Sequence, residues 1–224
     1  MRYLLLCLCA LSSALGEAQD FRKDWDKALA VYEGLSEFQL SVSTVEIDNG
    51  ERIENADYAV IIKKDQYWYN RSEESHVLMG DGYVLTVIPQ ELRVQYYQVK
   101  KSQIAEPAVM DMAAMDSVFD ALESVSFLGN ESGFNHYKID AHQLNLNSMD
   151  VWFSQESGLV SKVAYMYDQR ILGYPFELVV DMEYKLSGVA LPFLREDILD
   201  MSKKSPVLKA PYDIFKLSVL KPEL

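Results

Sequence analysis

The sequence predicts an α+β protein in which a strongly curved antiparallel half-barrel of about 10 or 11 strands has its concave face covered by two or three helices. Two observations lead to this fold class. Residues 38–99 read as six short strands, most with alternating apolar and polar positions, and almost no residues separate them. Residues 20–35 and 107–125 instead carry apolar side chains at helical spacing. A sheet this large buries its apolar side by curving around such helices.

The first predicted helix covers residues 20–35, and Gly34 lies close to its end. Its apolar stripe consists of Trp25, Ala28, Leu29, Tyr32 and Leu35. The six strands that follow are FQLSVSTVEI, NADYAVIIKK, QYWYN, HVLMG, YVLTVI and ELRVQYYQV. The residues between them are typical of tight hairpin turns, and they include Asp48-Asn49-Gly50, Lys64-Asp65 and Asp81-Gly82.

Beyond these strands the apolar spacing becomes helical. Pro107 begins a second predicted helix that runs to Val125, since proline is favoured in the first turn of a helix. A short helix within residues 192–202 and a loop at 203–211 are also predicted. The remaining predicted strands are residues 134–141, 149–154, 160–167, 176–186 and 214–220.

The first sixteen residues have the pattern of a signal peptide. Arg2 precedes an apolar run at residues 3–11, and small residues lead to Gly16. Cleavage is predicted after Gly16, with Ala18 as the alternative. The apolar run is too short to span a bilayer. The mature chain, residues 17–224, is therefore expected to be exported, free of cysteine and folded as a single domain.

The composition is acidic, with 34 Asp and Glu residues against 21 Lys and Arg residues and a formal net charge of −13. Signal-peptide removal takes away one arginine and no acid, which makes the charge −14. Nucleic-acid binding requires a basic surface, so this balance argues against a nucleic-acid partner. It also disfavours unaided adsorption to an anionic membrane. The charge predicts solubility or, as the alternative, docking onto a basic partner.

A catalytic constellation is not evident in the sequence. Of the three histidines, His76, His136 and His142, none belongs to a metal-binding motif such as H-E-x-x-H. His136 and His142 flank a strand that directs Tyr137 and Ile139 inward, so both histidines are expected at the surface. The sequence also lacks a G-x-S-x-G elbow. A non-catalytic protein without metal or cofactor is predicted, and an undetected hydrolase is the alternative.

An apolar interior between the sheet and the second helix is the predicted ligand site. Methionine suits an adaptable cavity because its side chain is flexible and polarisable. The candidate residues for binding a hydrophobic ligand are Val60, Ile62, Tyr67, Tyr69, Met79, Val84, Met112, Met115, Phe119 and Leu122. The same residues can instead form an ordinary core, and the sequence leaves open which alternating set faces inward.

The runs IIKKDQYWYN, VLMGDGYVLTVIP and ELRVQYY follow one another behind the signal peptide. In this order they resemble the core of the LolA/LolB family of outer-membrane lipoprotein carriers, of which the chain looks like a divergent member. The run MDVWFSQESGLVSKVAYMYDQRILGYPFELVVDMEY resembles the closing hairpins of that family. Tyr67 and Tyr69 match its aromatic-x-aromatic strand, and Asp81-Gly82 matches its turn. The resemblance covers residues 38–220.

The same resemblance implies a lid latch. The arginine that ties the lid of the family's carriers shut falls on Lys63 or Lys64 of this chain, and no proline follows. Lysine can donate to backbone carbonyls, but it lacks the planar fork of arginine. A dedicated latch is therefore less well supported than the fold.

The resemblance implies a periplasmic, monomeric carrier in a Gram-negative envelope. Its expected partners are the acyl chains of lipoproteins or another lipid, and an envelope protein that donates or accepts this cargo. The segment 192–211 and the helices are expected to part and reclose around the acyl chains. The alternative is an envelope sensor or protein-interaction module with the same fold, whose interior is filled by its own side chains.

Overall fold

The structure is a computed structural model that describes residues 20–53, 58–100, 124–142 and 145–220. The predicted signal peptide lies outside the described residues, as does the second predicted helix from residue 107 to 123. In the described ranges, none of the helices has both the length and the apolar character needed to cross a membrane.

Three α-helices and fifteen strands make up the regular structure of the described chain. The helices are α1 (residues 20–34), α2 (Gln169–Leu172) and α3 (Arg195–Ile198). The first seven strands are β1 (Glu37–Asp48), β2 (Glu51–Ile53), β3 (Tyr58–Lys64), β4 (Tyr67–Arg71), β5 (His76–Gly80), β6 (Tyr83–Ile88) and β7 (Arg93–Gln98). The others are β8 (Ser124–Glu131), β9 (Phe134–Asp140), β10 (Leu146–Ser154), β11 (Val160–Tyr167), β12 (Phe176–Lys185), β13 (Leu199–Asp200), β14 (Val207–Leu208) and β15 (Lys216–Leu220).

Thirteen of these strands form one large sheet in the order β15-β7-β6-β5-β4-β3-β1-β12-β11-β10-β9-β8, and β2 pairs with β1 beside this path. The hairpin pairs are antiparallel, whereas β15 is parallel to β7. Within the described chain the path has two ends, so the sheet is open. The predicted fold class, an α+β half-barrel built on a large antiparallel sheet, is confirmed.

Three local predictions need correction. Val125 was predicted as the end of a helix, but it lies in β8 because it pairs with Ile139 of β9. The predicted loop at residues 203–211 contains β14, which pairs with β13. The predicted last strand begins later, at Lys216, because a 3-10 turn occupies Tyr212–Ile214.

The chain divides into two compact units. Unit 1 comprises Met1–Leu35, Ser43–Ala56 and Met110–Met182, and unit 2 comprises Ser36–Val42, Asp57–Val109 and Glu183–Leu224. The prediction of one folded domain stays a prediction.

In unit 1, α1 packs its apolar stripe against strands β9, β10 and β11. Trp25, Ala28 and Leu29 are buried as predicted, and Phe21 is buried beside them. The sheet residues of this core are Tyr137, Ile139, Met149, Val151, Phe153, Val160 and Val163. The rings of Phe21, Trp25, Tyr137 and Phe153 meet edge to face, the favoured arrangement of aromatic pairs.

In unit 2, strands β3 to β7 form a meander with one buried face, which we call the inner face. Two-residue turns join β3 to β4 and β5 to β6, and four-residue connections join β4 to β5 and β6 to β7. In the resulting register, buried residues stand opposite one another on neighbouring strands. One such row is Ile62, Tyr69, Leu78, Leu85 and Tyr96. Residues 186–215 connect β12 to β15, and we call them the cover segment. The cover segment adds Val189, Ile198 and Leu199 to the core of this face.

Candidate functional site

The inner face of unit 2 brings together several of the residues predicted to bind a hydrophobic ligand. Val60, Ile62 and Tyr69 are buried in one apolar cluster, and Tyr67 packs against it partly buried. These four residues lie on β3 and β4, where alternate positions face the same side of the sheet. They form a continuous apolar surface beneath the cover segment.

Met79 and Val84 lie elsewhere. They stand opposite each other on β5 and β6, and each adjoins a fully buried leucine, Leu78 or Leu85. Because successive side chains of a strand point to opposite faces, Met79 and Val84 belong to the face opposite the inner face. The other four candidates are outside the described residues: Met112, Met115, Phe119 and Leu122.

The inner face also contains residues that are not among the ten candidates. Leu78, Leu85 and Val94 lie fully buried on the inner face. The Asp81-Gly82 turn is the sequence feature that predicts the two leucines as neighbours, because a two-residue turn at this point places Leu78 opposite Leu85. The residues contributed by the cover segment carry no comparable local signal.

A close contact between β4 and β5 positions the ring of Tyr67. Gly80 has a φ of +150°, and a Cβ atom built on it would lie 2.5 Å from Cδ1 of Tyr67 and 2.8 Å from the carbonyl oxygen of Gln66. Only glycine leaves room for this approach. The Tyr67 ring therefore lies over Gly80, with its centroid 6.5 Å from that of Tyr83.

A group of polar contacts ties the cover segment to the sheet, and we call this group the clasp. Lys64 Nζ donates a hydrogen bond to the backbone carbonyl of Val189 at 2.6 Å and lies 3.9 Å from Oε2 of Glu37. Glu37 Oε1 accepts a hydrogen bond from the backbone N–H of Gly188 at 2.7 Å. The side chains of Lys64 and Glu37 are each about a third exposed.

The two latch candidates differ in their surroundings. Lys64 faces the same side as Ile62 and contacts the cover segment through the clasp. Lys63 faces the opposite side, where its Nζ lies 5.3 Å from the centroid of the Trp68 ring. Of the two residues, Lys64 is therefore the one placed to act on the cover segment.

Tyr69 makes a second contact with the cover segment, and it also forms a hydrogen bond with a histidine of the sheet. The Tyr69 hydroxyl lies 2.9 Å from Nδ1 of His76, and the Phe193 ring meets that of Tyr69 edge to face at 5.5 Å. Burial lowers the pKa of His76, and the nearby Arg71 lowers it further. Burial also raises the pKa of Tyr69. At neutral pH both side chains are therefore uncharged, and the tautomer of the imidazole sets which of them donates the hydrogen bond.

In the described ranges, no cluster of three or more His, Cys, Asp and Glu residues could hold a metal ion. His136, expected at the surface, has a side chain that is only 15% exposed. It stacks on Trp152 at 4.2 Å, and its Nε2 lies 2.8 Å from Oδ1 of Asp150. The other flanking histidine, His142, is exposed as predicted. The prediction of a non-catalytic protein stays a prediction.

Unit 1 carries a separate surface pocket of about 210 Å³. Its walls are formed by β1 and the turn that follows it, by β10, β11 and α2, and by the residues around the start of β12. The lining residues are Ile47, Gly50, Asn147, Met166, Tyr167, Gln169, Pro175, Phe176 and Glu177. Exposed apolar side chains stand on the same connection between β11 and β12, namely Ile171, Leu172 and Tyr174.

No protein-family model matches the sequence, and no curated protein matches it either. Solved structures do resemble the fold. An uncharacterised conserved protein from Thermus thermophilus aligns over 76% of this chain and 90% of its own, with 7% identity and a TM-score of 0.42. LprF from Mycobacterium bovis aligns over 80% of this chain and 97% of its own, with 13% identity and a TM-score of 0.42.

A LolA superfamily protein from Nitrosomonas europaea is also similar, over 75% of this chain and 94% of its own, with 12% identity and a TM-score of 0.30. A LolA superfamily member thus stands among the structures that the chain resembles. These likenesses concern the fold alone.

Proposed function

We propose that the protein is a periplasmic, non-catalytic carrier that binds the acyl chains of a lipoprotein or another lipid on the inner face of unit 2. The observation that carries the proposal is the cover segment. The cover segment lies across an apolar sheet face and packs Val189, Ile198 and Leu199 against it. Only about a quarter of its residues form α-helix or β-strand. A segment of this kind can part from the sheet while the strands beneath it stay paired.

The inner face has the chemistry that an acyl chain requires. Exposing an acyl chain to water costs roughly 0.8 kcal/mol per CH₂ group, so a carrier must cover most of the chain. Leu78, Leu85 and Val94 offer a surface without polar side-chain atoms. When the cover segment moves away, acyl carbon can replace its apolar side chains. Exchanging one apolar contact for another costs far less than exposing either surface.

The clasp allows this exchange. Lys64 and Glu37 are partly exposed, and an ion pair in that setting contributes about 1 kcal/mol or less. The hydrogen bond from Lys64 to Val189 joins a side chain to the backbone of the cover segment. The clasp thus orients the closed segment without locking it, which is what reversible loading requires.

The sequence supports the location and the partners in this proposal. The pattern of residues 1–16 supports export, and the resemblance to lipoprotein carriers supports a periplasmic location and an acylated cargo. The carrier would act as a monomer and exchange cargo with another envelope protein. The acid excess supports a basic docking surface on that protein.

A second candidate function is a protein-interaction module with a filled interior. The pocket in unit 1 favours it, because exposed Ile171 and Tyr174 stand on the connection that supplies part of its wall. Exposed apolar residues grouped around a concavity are typical of a protein-binding surface. This candidate places function on unit 1 and leaves the cover segment closed.

Native mass spectrometry of the protein purified from its own periplasm, followed by organic extraction, tests the carrier proposal. An acylated species should accompany the wild-type protein. The substitution Tyr67→Glu on the inner face should abolish this co-purification. The matched control Met79→Glu, on the opposite face, should retain it, and circular dichroism should confirm that both variants are folded.

A second readout tests the clasp. The variant K64M should take up a fluorescent fatty acid faster than the wild type, because the cover segment loses its hydrogen bond to Lys64. The control K63M should take it up at the wild-type rate. A wild-type protein that carries no acylated species and takes up no fluorescent fatty acid overturns the proposal in favour of the interaction module.

A further inference from the structure

Two tyrosine hydroxyls on the inner face of unit 2 are buried without a hydrogen-bond partner. Tyr83 and Tyr96 are each 1% exposed, and their ring centroids lie 6.2 Å apart on neighbouring strands. Arg195 approaches both hydroxyls closely enough to affect pKa values, through its side chain at Tyr96 and its backbone N–H at Tyr83, but at neither oxygen does the geometry complete a hydrogen bond within the described chain. Folded proteins pair the large majority of buried side-chain polar atoms, so two adjacent exceptions require an explanation.

A guanidinium group lies beside these phenols. Arg195 begins α3 in the cover segment, and its Cζ lies 4.8 Å from the centroid of the Tyr83 ring. Its Nε donates to Oε1 of Glu196 at 2.9 Å. Partial burial lowers the pKa of Arg195, but Glu196 and the nearby Tyr96 hydroxyl raise it by more, and the net shift is upward. The guanidinium remains charged next to both phenols.

The three groups share one hydrogen-bonding property. Burial raises the pKa of Tyr83 to about 12, so its phenol is protonated at neutral pH and can donate a hydrogen bond. Arginine can only donate. Two O–H donors beside a guanidinium match a group whose oxygen atoms accept, such as a carboxylate or an ester carbonyl.

We propose that Tyr83, Tyr96 and Arg195 bind the carboxyl oxygens of the acyl ligand, as a free carboxylate or as an ester carbonyl. This inference rests on the proposed carrier function. The hydrocarbon of the ligand would lie along Leu78 and Leu85, which occupy the same face without polar side-chain atoms. The site then has an apolar region for the chain and a polar end for its carboxyl group.

The position of Arg195 adds a consequence for loading. Tyr83 and Tyr96 belong to the sheet, whereas Arg195 belongs to the cover segment. A carboxyl group held by all three residues bridges the sheet and the cover segment. Ligands that present these oxygens would therefore favour closure, and a plain hydrocarbon would not.

Displacement of a dansylated fatty acid by lauric acid, methyl laurate and dodecane tests the inference. The double variant Y83F/Y96F removes only the two hydroxyl oxygens. It should raise the Kd of lauric acid and of methyl laurate about tenfold, the scale of two lost hydrogen bonds, and leave that of dodecane unchanged. Tyr97 lies on the same strand as Tyr96 but on the opposite face, so Y97F should change none of the three.

The variant R195M distinguishes the two forms of the carboxyl group. A free carboxylate is charged, so losing the guanidinium should weaken lauric acid more than methyl laurate. Equal losses for the two ligands would assign an ester carbonyl to the site. Removing an unpaired buried hydroxyl does not destabilise the fold, so Y83F/Y96F should unfold at or above the wild-type temperature.

The carrier function and this inference fail in different ways. If dodecane and lauric acid both bind and Y83F/Y96F affects neither, the carboxyl site is overturned and the carrier function stands. If none of the three compounds displaces the dansylated fatty acid, or if that probe does not bind at all, both are overturned.

Discussion

The Asp24 carboxylate accepts a hydrogen bond from the Tyr137 hydroxyl at 2.9 Å and thereby joins α1 to β9 of unit 1. The same carboxylate oxygen accepts a second hydrogen bond, from Nδ2 of Asn135 at 2.7 Å. Burial raises the pKa of Tyr137, and its hydrogen bond to Asp24 raises that pKa further. The phenol therefore stays protonated and donates. Helix α1 is held by this polar contact as well as by its apolar stripe.

The substitution Tyr137→Phe should lower the free energy of unfolding by about 2 kcal/mol, since a buried hydrogen bond to a charged group is lost. Urea denaturation followed by tryptophan fluorescence measures this. The control Y97F removes a longer contact of 3.3 Å to Gln95 and should cost less. Equal effects of the two substitutions would show that the Asp24 contact adds nothing to stability.

The substitution Gly80→Ala should destabilise the protein by about 3 kcal/mol, because the new Cβ meets the Tyr67 ring and the Gln66 carbonyl at a positive φ. The control G34A changes a helical glycine that has no atom within 4 Å of the added Cβ. It should stabilise by about 0.5–1 kcal/mol, the usual difference between glycine and alanine in a helix. Thermal unfolding of both variants checks the pair, and a G80A protein as stable as the wild type contradicts the proposed packing of Tyr67.

Stability should fall as the pH drops below about 6.5, because the pKa of His76 is lower in the folded chain than in the unfolded one. Below the unfolded pKa of 6.5 the unfolded state binds more protons, so acid favours unfolding. The melting temperature should decline as the pH falls below about 6.5, and H76N should show a shallower decline. Parallel profiles for the two proteins would exclude His76 as the source.

Asp168 provides a separate test at more acidic pH. Its hydrogen bonds from the side chain and backbone of Arg170 lower its pKa to about 2, against 3.8 when unperturbed. Its contribution to stability is complete above about 3.8 and disappears as the pH falls to about 2. The melting temperatures of the wild type and D168N should differ at neutral pH and converge in acid. A constant difference at every pH would rule out this titration.

The meander of unit 2 is the part of the fold that the sequence predicts best. Asp81, with a φ of 47°, lies in the predicted Asp81-Gly82 turn, whereas Asp65, with a φ of 54°, begins an Asp65-Gln66 turn that lies one residue beyond the predicted Lys64-Asp65 turn because Lys64 pairs with Tyr67. Such turns leave little freedom in the register of the flanking strands. The pairing of Leu78 with Leu85 follows from the predicted Asp81-Gly82 turn, whereas a turn at Lys64-Asp65 would have placed Ile62 opposite Tyr67 instead of Tyr69.

Two other elements were predicted less well, for different reasons. Strand β8 pairs with β9, but Val125 carries the helical spacing of the residues before it. Strand β15 is parallel to β7, from which it is separated by about half of the chain. Local pattern contains no information about a partner so far away in sequence.

The candidate site shows the same division. Ile62, Tyr67 and Tyr69 were selected on apolar and aromatic character, and the structure places them on one face. Met79 and Val84 were selected on apolar character, and the register places them on the other. Where both faces of a strand are apolar, composition does not distinguish the inner from the outer face.

The sequence by itself determined the turns, the alternation of the strands and the apolar stripe of α1, because these depend on backbone preferences and on neighbours a few residues away. Only the tertiary structure decided that Lys64 rather than Lys63 meets Val189, and that Arg195 stands beside Tyr83 and Tyr96. These contacts join segments that lie far apart in the sequence, and they form only when the cover segment folds back across the sheet.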